Sequence, residues 1–175
     1  MGLRYVYVYV NASMSCFKCS CGCDRLTREE LLQIIQSTDR ARDFLNNSAA
    51  RNMFRNMIYP EESEGYTPQP SGSQSRPVGK RPMPRAIKYL NQMEGAAELL
   101  RTNNLSDEVV QEFADLLPDM ELGDRLYEST SANRTEVLEQ IIEEYGNRLR
   151  ESGEFKNFIA NLRKAYDGKV KLEKC

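Results

Sequence analysis

NRTEVLEQIIEEYGNRLRE, running from Asn133 to Glu151, decides the fold. Val137, Ile141, Tyr145 and Leu149 recur every four residues, with Leu138 and Ile142 one place along. That spacing puts the apolar side chains on one stripe of an α-helix and leaves Glu136, Glu139, Glu143 and Glu144 on the other side. An amphipathic helix must bury its stripe against another element. The neighbouring sequence carries the same period, so the partners are helices too.

Working outward, the same pattern continues on both sides. Upstream, a short helix holds Met120, Leu122, Leu126 and Tyr127. Before it, Ser106 caps a helix with Val109, Val110, Phe113, Leu116 and Leu117, which ends at Pro118. Earlier still, Pro84 opens a helix whose Ile87, Leu90, Met93, Ala97 and Leu100 follow one face, and Gly95 is expected to divide it. Downstream, Ser152-Gly153 interrupts the chain. A last helix from Glu154 to Tyr166 presents Phe155, Phe158, Ile159 and Leu162, and Asp167-Gly168 is expected to end it.

Nearer the N-terminus, Thr27 and Glu30 form a capping box ahead of Leu31, Leu32, Ile34 and Ile35. A short helix is expected from Thr38 to Asn46 with Phe44 and Leu45 inward. Another follows with Ser48 as N-cap, carrying Met53, Phe54, Met57 and Ile58 before Tyr59-Pro60 stops it. Residues 1–13 alternate tyrosine and valine, the period of a short strand. Residues 60–84 hold six of the seven prolines, three glycines and almost nothing apolar, the composition of a flexible linker.

The expected architecture is all-α: a helical bundle of seven or eight short-to-medium helices, with a flexible Pro/Gly/Ser-rich insert and a cysteine-rich N-terminal tail. Residues 1–25 are the tail, 26–59 a first helical segment and 60–84 the linker. Residues 85–168 form the main segment, packing with 26–59 as one domain, and 169–175 are a second tail.

Composition narrows the function classes. The chain of 175 residues carries a net charge of −2 and no histidine. Without histidine, Ser-His and Cys-His nucleophilic pairs and histidine metal sites cannot be built. No Gly-rich phosphate loop is present either, and the Asp and Glu runs do not fit a calcium loop, so an enzyme is not expected. No cofactor is implied. A near-neutral chain has no global field for holding nucleic acid. The basic run from Arg76 to Arg85 lacks interleaved aromatic residues for base stacking, so nucleic acid is not an expected partner. The acidic residues of the long helix, with Asp119, Glu121 and Asp124 just before it, read as a solvated face. Arg148 stands four after Glu144 and should pair with it.

The chemistry is concentrated in Ser15-Cys16-Phe17-Lys18-Cys19-Ser20-Cys21-Gly22-Cys23. Clustered cysteines flanked by polar and small residues are not a core pattern. Cys16, Cys19, Cys21 and Cys23 are candidate S-acylation sites, beside the apolar Phe17 and the cations Lys18, Arg25 and Arg28. The alternative is a Zn²⁺ or Cu⁺ site on the same four thiolates. The spacing C-x2-C-x-C-x-C is too tight for the usual pair of knuckles and would strain one loop. Gly2 suits myristoylation, but Val6 stands where Ser or Thr is preferred, and nothing follows Cys175 to make a prenylation box.

The sequence therefore describes a non-enzymatic interaction, adaptor or regulatory protein. It is expected in the cytoplasm, peripheral to a membrane through acylated N-terminal cysteines, and it would bind another protein through a groove on its helical surface. A metal-binding regulator is the alternative. The four cysteines are expected to lie outside the core, so that all could be replaced without unfolding the bundle.

Overall fold

The computed structural model describes residues 23–59, 82–102 and 106–173. Cys16, Cys19, Cys21, the expected strand over 1–13 and all but the last three residues of the expected linker lie outside them. Among the described residues are eight α-helices, one 3-10 turn and no strand. The described residues are all-α, as the helical periodicity of their sequence requires.

The helices are α1 (Arg28–Ser37), α2 (Ala41–Asn46), α3 (Ser48–Ile58), α4 (Arg85–Arg101), α5 (Asp107–Asp115), α6 (Met120–Tyr127), α7 (Arg134–Glu151) and α8 (Gly153–Glu173). α4 and α7 make the most extensive helix pair. The stripe of α7 fills the middle: Val137, Leu138, Ile141, Ile142, Tyr145 and Leu149 are all buried. α2 and α6 also pack on α7, while α1 and α3 lie against α8. One cluster of buried side chains draws on every helix, from Leu31 to Leu162.

Local chemistry explains the boundaries. The Thr27 hydroxyl accepts from the Glu30 amide at 3.2 Å, while the Glu30 carboxylate accepts from the Thr27 amide at 2.7 Å. α2 starts at Ala41 rather than Thr38, because Thr38 closes α1 instead. Its hydroxyl donates to the Ile35 carbonyl at 2.6 Å and its amide also turns back. α3 is capped by Asn47, whose side chain accepts from the Ala50 amide at 3.0 Å, and not by Ser48, which is the first helical residue. Between α7 and α8 the Ser152 hydroxyl donates to the Leu149 carbonyl at 2.6 Å and accepts from the Phe155 amide at 3.2 Å. One side chain thus ends one helix and starts the next.

Three further expectations need correction. Gly95 does not divide α4, which is continuous. A Cβ there would lie 2.5 Å from the Phe113 ring, so the glycine admits a close approach of α5 instead of breaking the helix. α8 does not stop at Asp167-Gly168 but runs on to Glu173, through most of the expected C-terminal tail. Lys169 and Val170 are half-buried along this extension. The N-terminal tail is also shorter than expected, because Cys23–Arg25 forms a 3-10 turn packed on α8.

Candidate functional site

α6 and α7 run alongside one another and leave an open cleft of about 520 Å³ between them. Asp119 stands at one end as the N-cap of α6, its Oδ1 accepting from the Leu122 amide at 3.2 Å. Its Oδ2 accepts from Arg148 Nη2 at 2.5 Å, and Arg148 Nε donates to Glu144 at 2.9 Å. The Arg148 guanidinium also lies over the Tyr145 ring, 5.2 Å from its centroid. Two carboxylates and a ring face therefore fix one cation. Further along the cleft, Arg125 is held by the Gln140 side chain, while Glu121 and Glu143 stand exposed.

These contacts set the protonation states. The Arg148 hydrogen bond, with the Leu122 amide behind it, holds the Asp119 carboxyl below the usual carboxylate range. Asp119 and then Glu144 raise Arg148 in turn. Burial pushes the Tyr145 phenol up, an effect that the Asp119 backbone and the Arg148 charge offset only in part. Its hydroxyl is buried with no hydrogen-bond partner of good geometry. The buried phenol is thereby kept protonated and the Asp119 carboxylate ionised.

The linkage has a definite sign. Asp119 is depressed in the folded state, so its stabilisation is present above the unfolded carboxyl pKa of about 4. It is lost as pH falls through the lower folded value. Asp119→Asn keeps a good N-cap and removes the charge. Denaturant melts between pH 5 and pH 2 should show a shallower acid-side fall for this variant than for the wild type. Parallel profiles would mean that the Arg148 pair contributes nothing.

The surrounding surface is one-sided in charge. From Asp107 to Glu128 the chain carries eight acidic residues against a single cation, Arg125. Asp107 pairs with Arg134 at 2.7 Å and Asp119 with Arg148. Among the described residues, Glu108, Glu112, Asp115, Glu121, Asp124 and Glu128 have no ion-pair partner. Large apolar side chains stand among them: Met120 is 81% exposed, Leu116 69% and Tyr127 58%.

The sequence treated Asp119, Glu121, Glu143 and Glu144 as parts of a solvated face; the fold brings them to one cleft, with Arg148 clamped as its spacing from Glu144 implies. Of the four cysteines singled out, only Cys23 lies among the described residues, and it is fully buried. It belongs to the core, which corrects the expectation that all four lie outside it. Among the described residues, the cleft carboxylates included, no three His, Cys, Asp or Glu side chains are placed so that they could hold a metal ion. No described helix is long and apolar enough to cross a membrane. Comparison with protein-family models, with curated proteins and with solved structures gives no match.

Proposed function

We propose that this chain is a non-enzymatic interaction or adaptor protein, tethered to a membrane through acylated Cys16, Cys19 and Cys21, which presents its helical body to a protein partner. The observation that carries the interaction reading is the exposure of Leu116, Met120 and Tyr127 on a body whose remaining large side chains are mostly buried. Exposed apolar surface rimmed by charge marks association sites more often than it marks idle surface.

The cysteine cluster supports the tether, with one residue withdrawn from it. An enclosed thiol cannot take an acyl chain while the body is folded, so Cys23 is a core residue here. Its burial weighs equally against the metal alternative, because a four-thiolate site would have to extract Cys23 from the bundle. The first 22 residues join the body at Cys23, beside α8, whereas the acidic stretch follows α5 and α6 near α7. The tether and the docking surface would then be carried by different parts of the bundle.

The test separates the cysteines. Wild-type protein should fractionate with membranes, resist salt washing and be released by hydroxylamine, which cleaves thioesters. Two or more acyl chains hold firmly where one is marginal. Changing Cys16, Cys19 and Cys21 to serine should give a soluble protein with unchanged stability. Cys23→Ser should leave membrane binding intact and lower stability in denaturant melts, because it replaces a fully buried thiol with a more strongly hydrated hydroxyl. Wild-type protein that is soluble and unmodified in cells would remove the tether.

A further inference from the structure

Met120 and Tyr127 are seven residues apart on α6, two helical turns, so they share one face, with Asp124 between them. That face is distinct from the one α6 buries, which carries Leu122 and Leu126. Leu116 stands at the end of α5, just before the turn into α6. Scattered exposed apolar residues need no explanation. Three of the most exposed ones, at the end of α5 and along one face of α6, in a stretch that also carries six carboxylates without an ion-pair partner among the described residues, do.

We propose that this face receives a basic amphipathic segment of another protein. The segment's apolar side chains would cover Leu116, Met120 and Tyr127, and its lysines or arginines would face Glu121 and Asp124, since Glu143 is already paired with Arg150 at 3.4 Å. Charge selects this occupant. A second copy would bring the same acidic stretch against itself, and like charges brought together oppose association. Nucleic acid and anionic lipid are repelled for the same reason. An uncharged apolar segment would fill the ridge but leave the carboxylates around it unmatched. A cationic amphipath alone satisfies both features, and its long aliphatic stems can lie over Met120 while the charged ends reach Asp124 and Glu121. This inference deepens the interaction reading and rests on it, but does not depend on the tether.

The experiment titrates the full chain, kept reduced, with a leucine–lysine peptide of about five helical turns whose leucines follow i, i+3, i+4 and i+7. Saturable one-to-one binding in the micromolar range is expected, weakening as salt is raised. Met120→Ser/Tyr127→Ser should weaken it at least tenfold, and so should Glu121→Lys/Asp124→Lys. These positions are exposed, so both pairs should retain the wild-type circular dichroism and melting temperature. Glu29→Lys/Asp167→Lys makes the same charge change on α1 and α8 and should leave affinity within about twofold. A peptide of the same composition in scrambled order should bind at least tenfold more weakly, and a leucine–glutamate peptide should not bind. No saturable binding to the leucine–lysine peptide, or binding that either α6 pair leaves unchanged, would overturn the proposal. Equal loss in the α1/α8 control pair would do the same, by reducing the effect to net charge. Self-association that Met120→Ser/Tyr127→Ser abolishes would also overturn it, by making the face a self-contact. Membrane release by hydroxylamine reads the tether separately, so either idea can fail alone.

Discussion

Phe54→Ala is expected to destabilise the protein by about 3–5 kcal/mol. Phe54 is completely enclosed, and its ring meets three others edge-on. The centroid separations are 6.1 Å to Phe44, 5.4 Å to Phe155 and 5.4 Å to Phe158. Phe44 and Phe155 also meet at 5.1 Å, so the four rings form one cluster joining α2, α3 and α8. Truncating Phe54 removes its apolar area and leaves a cavity whose walls are rigid rings that cannot collapse into it. Such a loss is a large fraction of the 5–15 kcal/mol that holds a typical domain together.

A second attachment of α3 gives the contrast. Arg51 and Arg55 of α3 both reach Glu94 on α4, the former at 2.8 Å. All three side chains are between 22% and 32% exposed, so water screens the pairs. Glu94→Ala should cost about 1 kcal/mol or less. Guanidinium melts of the two variants decide which contact docks α3. A Phe54→Ala loss no larger than that of Glu94→Ala would mean that α3 is held by its surface charges.

The helices were legible because their signals are local. Val137, Ile141, Tyr145 and Leu149 declare the buried stripe of α7 through their spacing alone, and Thr27 with Glu30 declares the start of α1 through two reciprocal bonds. Features settled by neighbours far along the chain were misread. Asn47 and Ser48 are both good caps, and only the packed position of α3 selects the first. Gly168 resembles a helix terminator, yet a glycine stops a helix only where the backbone turns left-handed, and α8 goes straight on. Cys23 was grouped with three neighbours by type, although cysteine is among the most buried residues and the packed turn begins at this one.

The cleft was illegible for a related reason. Helical spacing assigns Glu143 and Glu144 to a face of α7, and Glu121 to a face of α6, but it does not say that these faces meet. The apolar ridge left a clearer trace. Leu122 and Leu126 are four apart and point inward together, so Met120 and Tyr127 had to fall elsewhere on the same short helix. Listing all four as apolar hid the division between them.

Gly146→Leu should cost roughly 3 kcal/mol or more, and Gly146→Ala roughly 1–2 kcal/mol, despite the better helix propensity of both residues. Gly146 is buried on α7 where α2 crosses it. A Cβ at this position would sit 2.5 Å from the Ala41 Cβ, 3.4 Å from the Met93 Cε and 3.6 Å from the Ala41 Cα. A methionine end can swing away, but the Ala41 methyl is fixed to the backbone, so α2 itself must move. Propensity favours alanine over glycine by about 1 kcal/mol in a helix, which the overlap has to exceed. Gly168 supplies the reference, since nothing lies within 4 Å of its Cβ position. Gly168→Ala should therefore stabilise by about 0.4–1 kcal/mol. The decisive measurement is a double-mutant cycle. Ala41→Gly removes the one methyl that cannot yield, so combined with Gly146→Ala it should recover part of the loss, with a coupling of about 0.5–3 kcal/mol. Additive effects in that cycle would place the strain elsewhere on α7, and a stabilised Gly146→Ala would show that α2 and α7 are not in contact at this point.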